Sequence, residues 1–376
     1  MPTIVKILSV LGVIILTTLL FQGDFVLFRR NDTVVSVNID KNEKEILLEE
    51  IRNLPLEKRI GQLMIFGFST KIPDDHVKRL IVEYGIGGVN LLKRNVESAE
   101  QVRHLTASLQ ELAFEAGAPP LFIAVDQEGG TVIRFPFLSE LTAEKDITSE
   151  QEAFRVAQKR GVELKNLGIT MNFAPVLDYV PDKDAYLYDR TFATTTEIIA
   201  DFGVAMARGY QAAGVIPVFK HFPGYGAIAD DPHQENASEA VISSADSMEP
   251  FHLALGKLSG VPLMTAHIVY DDIDTVPATR SRRFLTGILR NEWEYDGVII
   301  TDDIEMASAI GKNQISVEEV AVQAFEAGAD MIISTYTSLL HELIIEAVVE
   351  AVTSGRLSEE RLNQSVLRVR RLKSGM

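Results

Sequence analysis

Residues 121–126 read Leu-Phe-Ile-Ala-Val-Asp, and Gln127-Glu128-Gly129-Gly130 follow without a break. Five apolar residues in succession leave no polar face, so this run reads as a strand buried on both sides that delivers carboxylates at its C-terminal end. Working outward, the pattern recurs at residues 63–68 and 87–92 upstream. Downstream it recurs at 171–175, 215–221, 262–267, 297–302 and 331–335, making eight runs in all. Stretches of helical period fill the gaps, at residues 99–115, 151–166, 197–213, 317–327 and 339–353. A last amphipathic helix is predicted over 358–372, with Ser358 and the glutamates behind it read as a capping-box start. Eight strand–helix units predict an α/β protein built as a single (β/α)8 TIM-type barrel. The rival is an open doubly wound sheet, but no glycine-rich dinucleotide fingerprint follows any strand.

The chain has 376 residues, 36 Lys plus Arg against 53 Asp plus Glu, a net charge of −17 and no cysteine. The acidic balance argues against the basic footprint of a nucleic-acid binder. Absence of cysteine removes disulfides, thiolate nucleophiles and thiolate metal sites. Residues 7–21 form an apolar run of 15 preceded by Lys6, with no small-x-small cleavage site behind it. Its length lies between a signal-peptide core and a full span. The expectation is an uncleaved signal-anchor over 1–30, with a cleaved signal and a buried helix as the rivals. A polar linker over 31–43 and a catalytic body over 44–376 complete the layout. This places the body outside the cytoplasm, held at the membrane by its N-terminal segment. Arg29 and Arg30 beyond the run oppose Lys6 in setting orientation. A monomer is expected.

In such barrels chemistry gathers where strands end. The third run ends in Asp126 and Glu128 at a Gly-Gly turn that lets backbone approach a ligand, or in an ordinary acidic turn. The fifth ends in Lys220-His221, costly to bury without partners, and enters a loop closing with Asp230-Asp231-Pro232-His233. The seventh ends in Thr301-Asp302-Asp303. Asp302 is placed as a nucleophile or base or, alternatively, as a helix cap; Asp303 reads as the cap. Three polar strand ends together imply one convergent site. A metal-dependent hydrolase using His221, His233, His267 and Asp302 is opposed by the absence of H-x-H at the first strand end and of H-E-x-x-H anywhere. No metal and no cofactor are expected.

The stretch KHFPGYGAIADDPH, residues 220–233, resembles the signature of glycoside hydrolase family 3 in its β-N-acetylglucosaminidase branch, K-H-F-P-G-H-G, four variable residues, D-S-H. Flanking matches fall in order: DQEGG at Asp126, NFAPVLD at Asn172, DRTF at Asp189, TAHIVY at Thr265, PAT at Pro277 and DGVIITDDIEM at Asp296. The resemblance covers residues 55–370 or so. It implies that Asp302 is the nucleophile, that His233 is the general acid/base with Asp231 as its partner, and that Asp126, Arg134, Arg190, Lys220 and His221 bind the non-reducing sugar. Tyr225 stands where a second histidine is usual and Pro232 where serine is usual. Neither replaces a catalytic group, but both bear on rate and substrate preference.

The chemistry implied is retaining hydrolysis of a terminal β-linked N-acetylhexosamine, from peptidoglycan or chitin-type fragments. A histidine of reference pKa about 6.5 suits proton transfer near neutrality, and Asp231 would fix its tautomer. Since such an acid/base carries no negative charge, phosphate competing with water is a minor expectation. Gly224 and Gly226 predict a loop that closes over substrate. The alternatives are a non-catalytic sugar-binding protein on the same barrel, favoured only by Tyr225 and Pro232, and a β-glycosidase of different glycone preference. Trp293 reads as packing at the barrel's lower face, Met306 as packing, and His76, His104, His252 and His341 as surface or helix-packing residues. The basic cluster over 361–373 reads as the solvated face of the last helix.

Overall fold

A computed structural model describes residues 41–192, 194–226, 243–310 and 314–376, together with the backbone of Val26–Leu27 and Val35–Ser36. The chain divides into two compact units, Met1–Glu50 and Ile51–Met376. In the first, Val26–Leu27 pairs antiparallel with Val35–Ser36. The expected boundary at residue 44 falls inside the helix Lys41–Arg52. Residues 7–21, expected as the anchor, lie outside the described residues, among which no helix is long and apolar enough to cross a membrane.

The second unit is a parallel sheet ringed by helices. Its strands are β1 (Met64–Phe66), β2 (Gly88–Leu91), β3 (Phe122–Val125), β4 (Met171–Asn172), β5 (Ile216–Pro217), β6 (Phe219–Phe222), β7 (Leu263–Thr265), β8 (Ile299–Asp303) and β9 (Met331–Ser334), in the order β5-β4-β3-β2-β1-β9-β8-β7-β6. The edges β5 and β6 flank Val218 in one continuous run, so the sheet closes on itself and the expected fifth strand is this interrupted pair. Pro217, lacking an N–H, marks the break. Counted as runs of chain, there are the eight of a (β/α)8 barrel. β2, β3, β6 and β9 are buried along their whole length, as parallel strands covered on both faces should be.

Helix starts follow local chemistry. Ser98, Ser149, Ser243, Ser316 and Ser358 each cap a helix by accepting the N–H of the residue three further on. At Ser358 that residue is Arg361, so the reciprocal half of the expected capping box is missing. Ser244–Lys257 and the π-helical Arg283–Glu292 complete the ring where periodicity alone named no helix.

The last helix, Glu359–Lys373, corrects the reading of its basic cluster as a solvated face. Arg368 and Arg361 reach the fully buried Asp330, just before β9, at 3.2 and 3.6 Å. Lys373 is buried, 3.1 Å from Gln62 Oε1 and over the ring of Phe122 at the start of β3. The helix therefore meets the amino ends of the strands, and its cations close that end of the barrel. Trp293 does pack, against the rings of Phe222 and His252. His341 is buried and stacked on Phe66.

Candidate active site

At the carboxyl ends of the strands lies a cavity of about 220 Å³, lined by Asn90, Asp126, Glu128, Arg134, Arg190, Lys220, His221, Tyr225 and Asp302 among others. Six residues expected at the site, Asp126, Arg134, Arg190, Lys220, His221 and Asp302, are thus brought together. Asp231 and His233 lie outside the described residues, as does all but the start of the loop after the fifth strand, with Gly224 and Gly226, expected to close on substrate.

The turn after β3 is built to aim two carboxylates inward. Gln127 is its peg: its N–H donates to Asn172 Oδ1 at 2.9 Å, and its Oε1 accepts the N–H groups of Arg134 and Phe135. With residue 127 turned into the scaffold, Asp126 and Glu128 face the cavity. Gly129 adopts φ +90°, and a Cβ there would lie 2.2 Å from Thr142 O. The buried Arg160 holds the turn from behind, donating to Glu128 O at 2.6 Å and Thr142 O at 2.7 Å.

Lys220 Nζ lies 2.9 Å from Asp126 Oδ1 and 2.6 Å from Glu128 Oε1. Arg190 grips Glu128 with Nε and Nη2, at 2.9 and 2.8 Å. Burial opposes ionisation of Glu128, but Arg190 and Lys220 overcome it and hold the carboxyl far below the ordinary range. Burial likewise opposes the charge on Lys220, and Glu128 and Asp126 outweigh it. Arg134 Nη2 stands 3.6 Å from Asp126. The result is an alternation of charges along one wall of the cavity.

Both strands that carry the chemistry are irregular where it sits. β6 opposes Phe219 and Phe222 to Leu263 and Thr265 of β7, three residues against two, and Lys220-His221 occupies the extra step. β8 does the same between Ile300 and Asp303 against β9, and Asp302 lies within it. Such bulges re-aim side chains that a regular pleat would alternate. Lys220 and His221, joined by a cis peptide bond, both line the cavity.

His221 is oriented by Asp178, the last residue of the NFAPVLD stretch. The fully buried Asp178 accepts His221 Nδ1 at 2.7 Å, the His221 N–H at 3.1 Å and the Tyr225 N–H at 2.6 Å. This fixes the proton on Nδ1 and leaves Nε2 as the second ring nitrogen. Tyr225 is a buried wall, its ring 5.1 Å from that of His221 and its Oη accepting the His267 N–H.

Asp302 Oδ1 accepts the N–H of Asp303 at 2.8 Å. Burial would raise its pKa, but His221, His267, this hydrogen bond and Lys220 bring it below the ordinary carboxylate value. Burial pulls His267 itself down to about 4. Asp303 accepts the Glu305 N–H, as a cap would, and also the Thr335 hydroxyl, and it lines the cavity, where burial pushes its pKa up to about 7. Adjacent carboxyls are thus driven apart, Asp302 ionised and Asp303 poised near neutrality. Met306, read as packing, also lines the cavity. Among the described residues no group of three or more His, Asp and Glu is placed to hold a metal ion.

A TIM-type barrel with an ionised carboxylate on one strand end and hydrogen-bonding charges on the others has the form of a glycoside hydrolase. Residues 55–372 match the family profile "Glycosyl hydrolase family 3 N terminal domain". The chain belongs to glycosyl hydrolase family 3. It is 37% identical over 299 residues to a β-hexosaminidase of Nitrosomonas eutropha, covering 75% of this chain and 83% of that protein. With a β-hexosaminidase of Neisseria meningitidis it shares 34% over 271 residues, 68% of this chain and 73% of the relative. Among solved structures, a family 3 β-N-acetylglucosaminidase from Paenibacillus superposes with a TM-score of 0.81 at 35% identity, over 86% of this chain but only 62% of that one. A β-N-acetylhexosaminidase from Beutenbergia cavernae gives 0.79 at 27%, over 86% and 99%.

Proposed function

We propose that this family 3 protein is a β-N-acetylhexosaminidase that removes terminal β-linked N-acetylhexosamine with retention, through a glycosyl-enzyme on Asp302. The observation that carries the reading is Asp302 itself: an ionised carboxylate on a strand end, facing a cavity whose other walls are hydrogen-bonding charges. In the first step Asp302 attacks the anomeric carbon while the aglycone oxygen takes a proton. In the second, water displaces Asp302 and gives up a proton. His233, partnered by Asp231, is the residue assigned to both proton transfers; it rests on the KHFPGYGAIADDPH signature. Asp126, Arg134, Arg190, Lys220 and His221 hold the glycone, supported by their convergence on one cavity.

The family relationship and the names of the relatives support the acetamido sugar. Peptidoglycan or chitin fragments as its source, and a body (residues 44–376) held outside the cytoplasm by residues 1–30, belong to the same proposal and rest on the apolar run over 7–21. Fractionation of cells bearing the tagged full chain tests the latter, and recovery in the cytosolic fraction ends it.

The test of the chemistry is nitrophenol release from 4-nitrophenyl β-N-acetylglucosaminide, beside the β-glucoside, with Asp302→Asn in parallel. Turnover of the acetamido sugar by the wild type, abolished in the variant, supports the reading. Absence of turnover on both sugars by folded protein would overturn it in favour of sugar binding without catalysis. For His233→Ala, rescue of nitrophenyl-glycoside turnover by azide, with β-glycosyl azide as product, is the expected mark of a lost acid/base.

A further inference from the structure

The cavity is graded from a closed floor to an open rim. Lys220 and Tyr225 at its base are 1% and 2% exposed, whereas Tyr336 and Tyr186, which also line it, are 57% and 40% exposed. Its volume of about 220 Å³ is below the roughly 300–1,000 Å³ of ordinary ligand pockets. On the hydrolase reading, a cavity of this size is matched to a single sugar ring, whose hydroxyls the charged residues would hold. For an enzyme that cleaves a terminal sugar, the next unit of the chain must then lie at the rim, where an aromatic face supplies an apolar platform.

Tyr336 is braced for this. It follows β9, and its N–H donates to Glu305 Oε1 at 2.8 Å; the same oxygen accepts the Ser334 hydroxyl at 2.7 Å and the Thr337 N–H at 3.2 Å. Arg94 lies over one side of the ring, 5.8 Å from its centroid, and is itself tied to Phe68 O at 2.8 Å and to Thr335 O. A half-exposed aromatic held by its backbone and backed on one face is pre-organised for a ligand on the other. Tyr186 stands in the loop after β4, and the sheet order sets β4 and β9 on opposite sides of the barrel.

We infer that Tyr336, with Tyr186 across the mouth, forms an aglycone subsite that takes the second saccharide of an oligosaccharide substrate by stacking. The inference rests on the hydrolase reading above and adds to it where the leaving group binds.

The experiment compares kcat/KM for chitotriose with that for β-N-acetylglucosaminyl fluoride, whose leaving group is a single atom, in wild type, Tyr336→Ala, Tyr336→Phe and Tyr186→Ala. The ratio of oligosaccharide to fluoride is expected to fall about tenfold in Tyr336→Ala, through KM, as loss of one stacking face implies. Tyr336→Phe, which keeps the ring, should hold the ratio within about twofold of wild type, and Tyr186→Ala should lower it about threefold. An unchanged ratio in Tyr336→Ala overturns the subsite, and so does an equal fall in Tyr336→Phe, which would assign the effect to the hydroxyl. Should Tyr336→Ala not fold, the ratio in Tyr336→Leu decides in the same way. Failure of the wild type to hydrolyse the fluoride would refute the hydrolase reading itself, a result distinct from any change in ratio.

Discussion

The two ends of the barrel solve the same electrostatic problem to different ends. At the mouth, Glu128 is buried between Lys220 and Arg190. At the opposite end, Asp330 is buried among Arg290 at 2.5 Å, Arg368 at 3.2 Å, Ser365 Oγ at 2.6 Å and the Ile299 N–H at 2.9 Å. Burial opposes both carboxylates, and arginines or lysine hold both ionised. Only their surroundings differ. Asp330 spends its acceptors on the protein and is sealed under the last helix, whereas the partners of Glu128 border a cavity that also contains Asp302. A displaced carboxylate pKa is therefore no mark of function by itself; an open face beside a nucleophile is.

The comparison can be broken most severely at the mouth. Asp302→Asn should lower kcat on the 4-nitrophenyl acetamido sugar by roughly a thousandfold or more while leaving the thermal midpoint within a few degrees. A loss below tenfold would remove Asp302 from the role of nucleophile. Next come the buried carboxylates. Asp330→Ala strands cations under a sealed helix and should destabilise by about 3–5 kcal/mol in urea unfolding, with near-normal kcat per folded molecule. Glu128→Gln should cost about 1–2 kcal/mol, because water in the cavity takes up the freed cations, yet reduce kcat/KM about a hundredfold. If the two variants show the same balance of stability against activity, the contrast fails.

Smaller effects sharpen it through pH. Burial pulls Lys373 down to about 7. The unfolded chain keeps that proton up to about pH 10.4, so the native state is penalised below that value and fully so under pH 7. Lys373→Met is thus expected to stabilise by about 1 kcal/mol at pH 6, an advantage that fades by pH 10. Asp303 has the opposite slope. With its pKa up at about 7, its neutral form suits the fold, and stability is lost as pH rises from about 4 through 7. Asp303→Asn should be neutral near pH 4 and stabilise by about 1 kcal/mol at pH 8, read as the change in urea midpoint between the two pH values.

Much of this was legible from local pattern. Helices Ala99–Glu115 and Val317–Ala327 have the bounds their periodicity predicts, because a wide apolar stripe and a serine cap are local properties. Strand ends were legible for a similar reason, since a run buried on both faces must stop where charges begin. Less legible was anything that depends on which strand lies beside which. Asp178 orients His221 across 43 positions of sequence. Arg160, inside the helix Glu150–Asn166, holds the DQEGG turn. Tyr336, one residue past the predicted run over 331–335, entered the site without any local signal.

The amino-acid sequence alone determined the barrel class, the family to which the chain belongs and six of the residues that meet at its mouth, because periodicity and short motifs are written in neighbouring residues. Tertiary structure decided which carboxylates are ionised, which basic residues are sealed away and which are offered to a ligand. It also set how two bulged strands aim Lys220, His221 and Asp302 at one point. Those properties arise from burial and from partners distant in sequence, and both come into being only when the sheet closes.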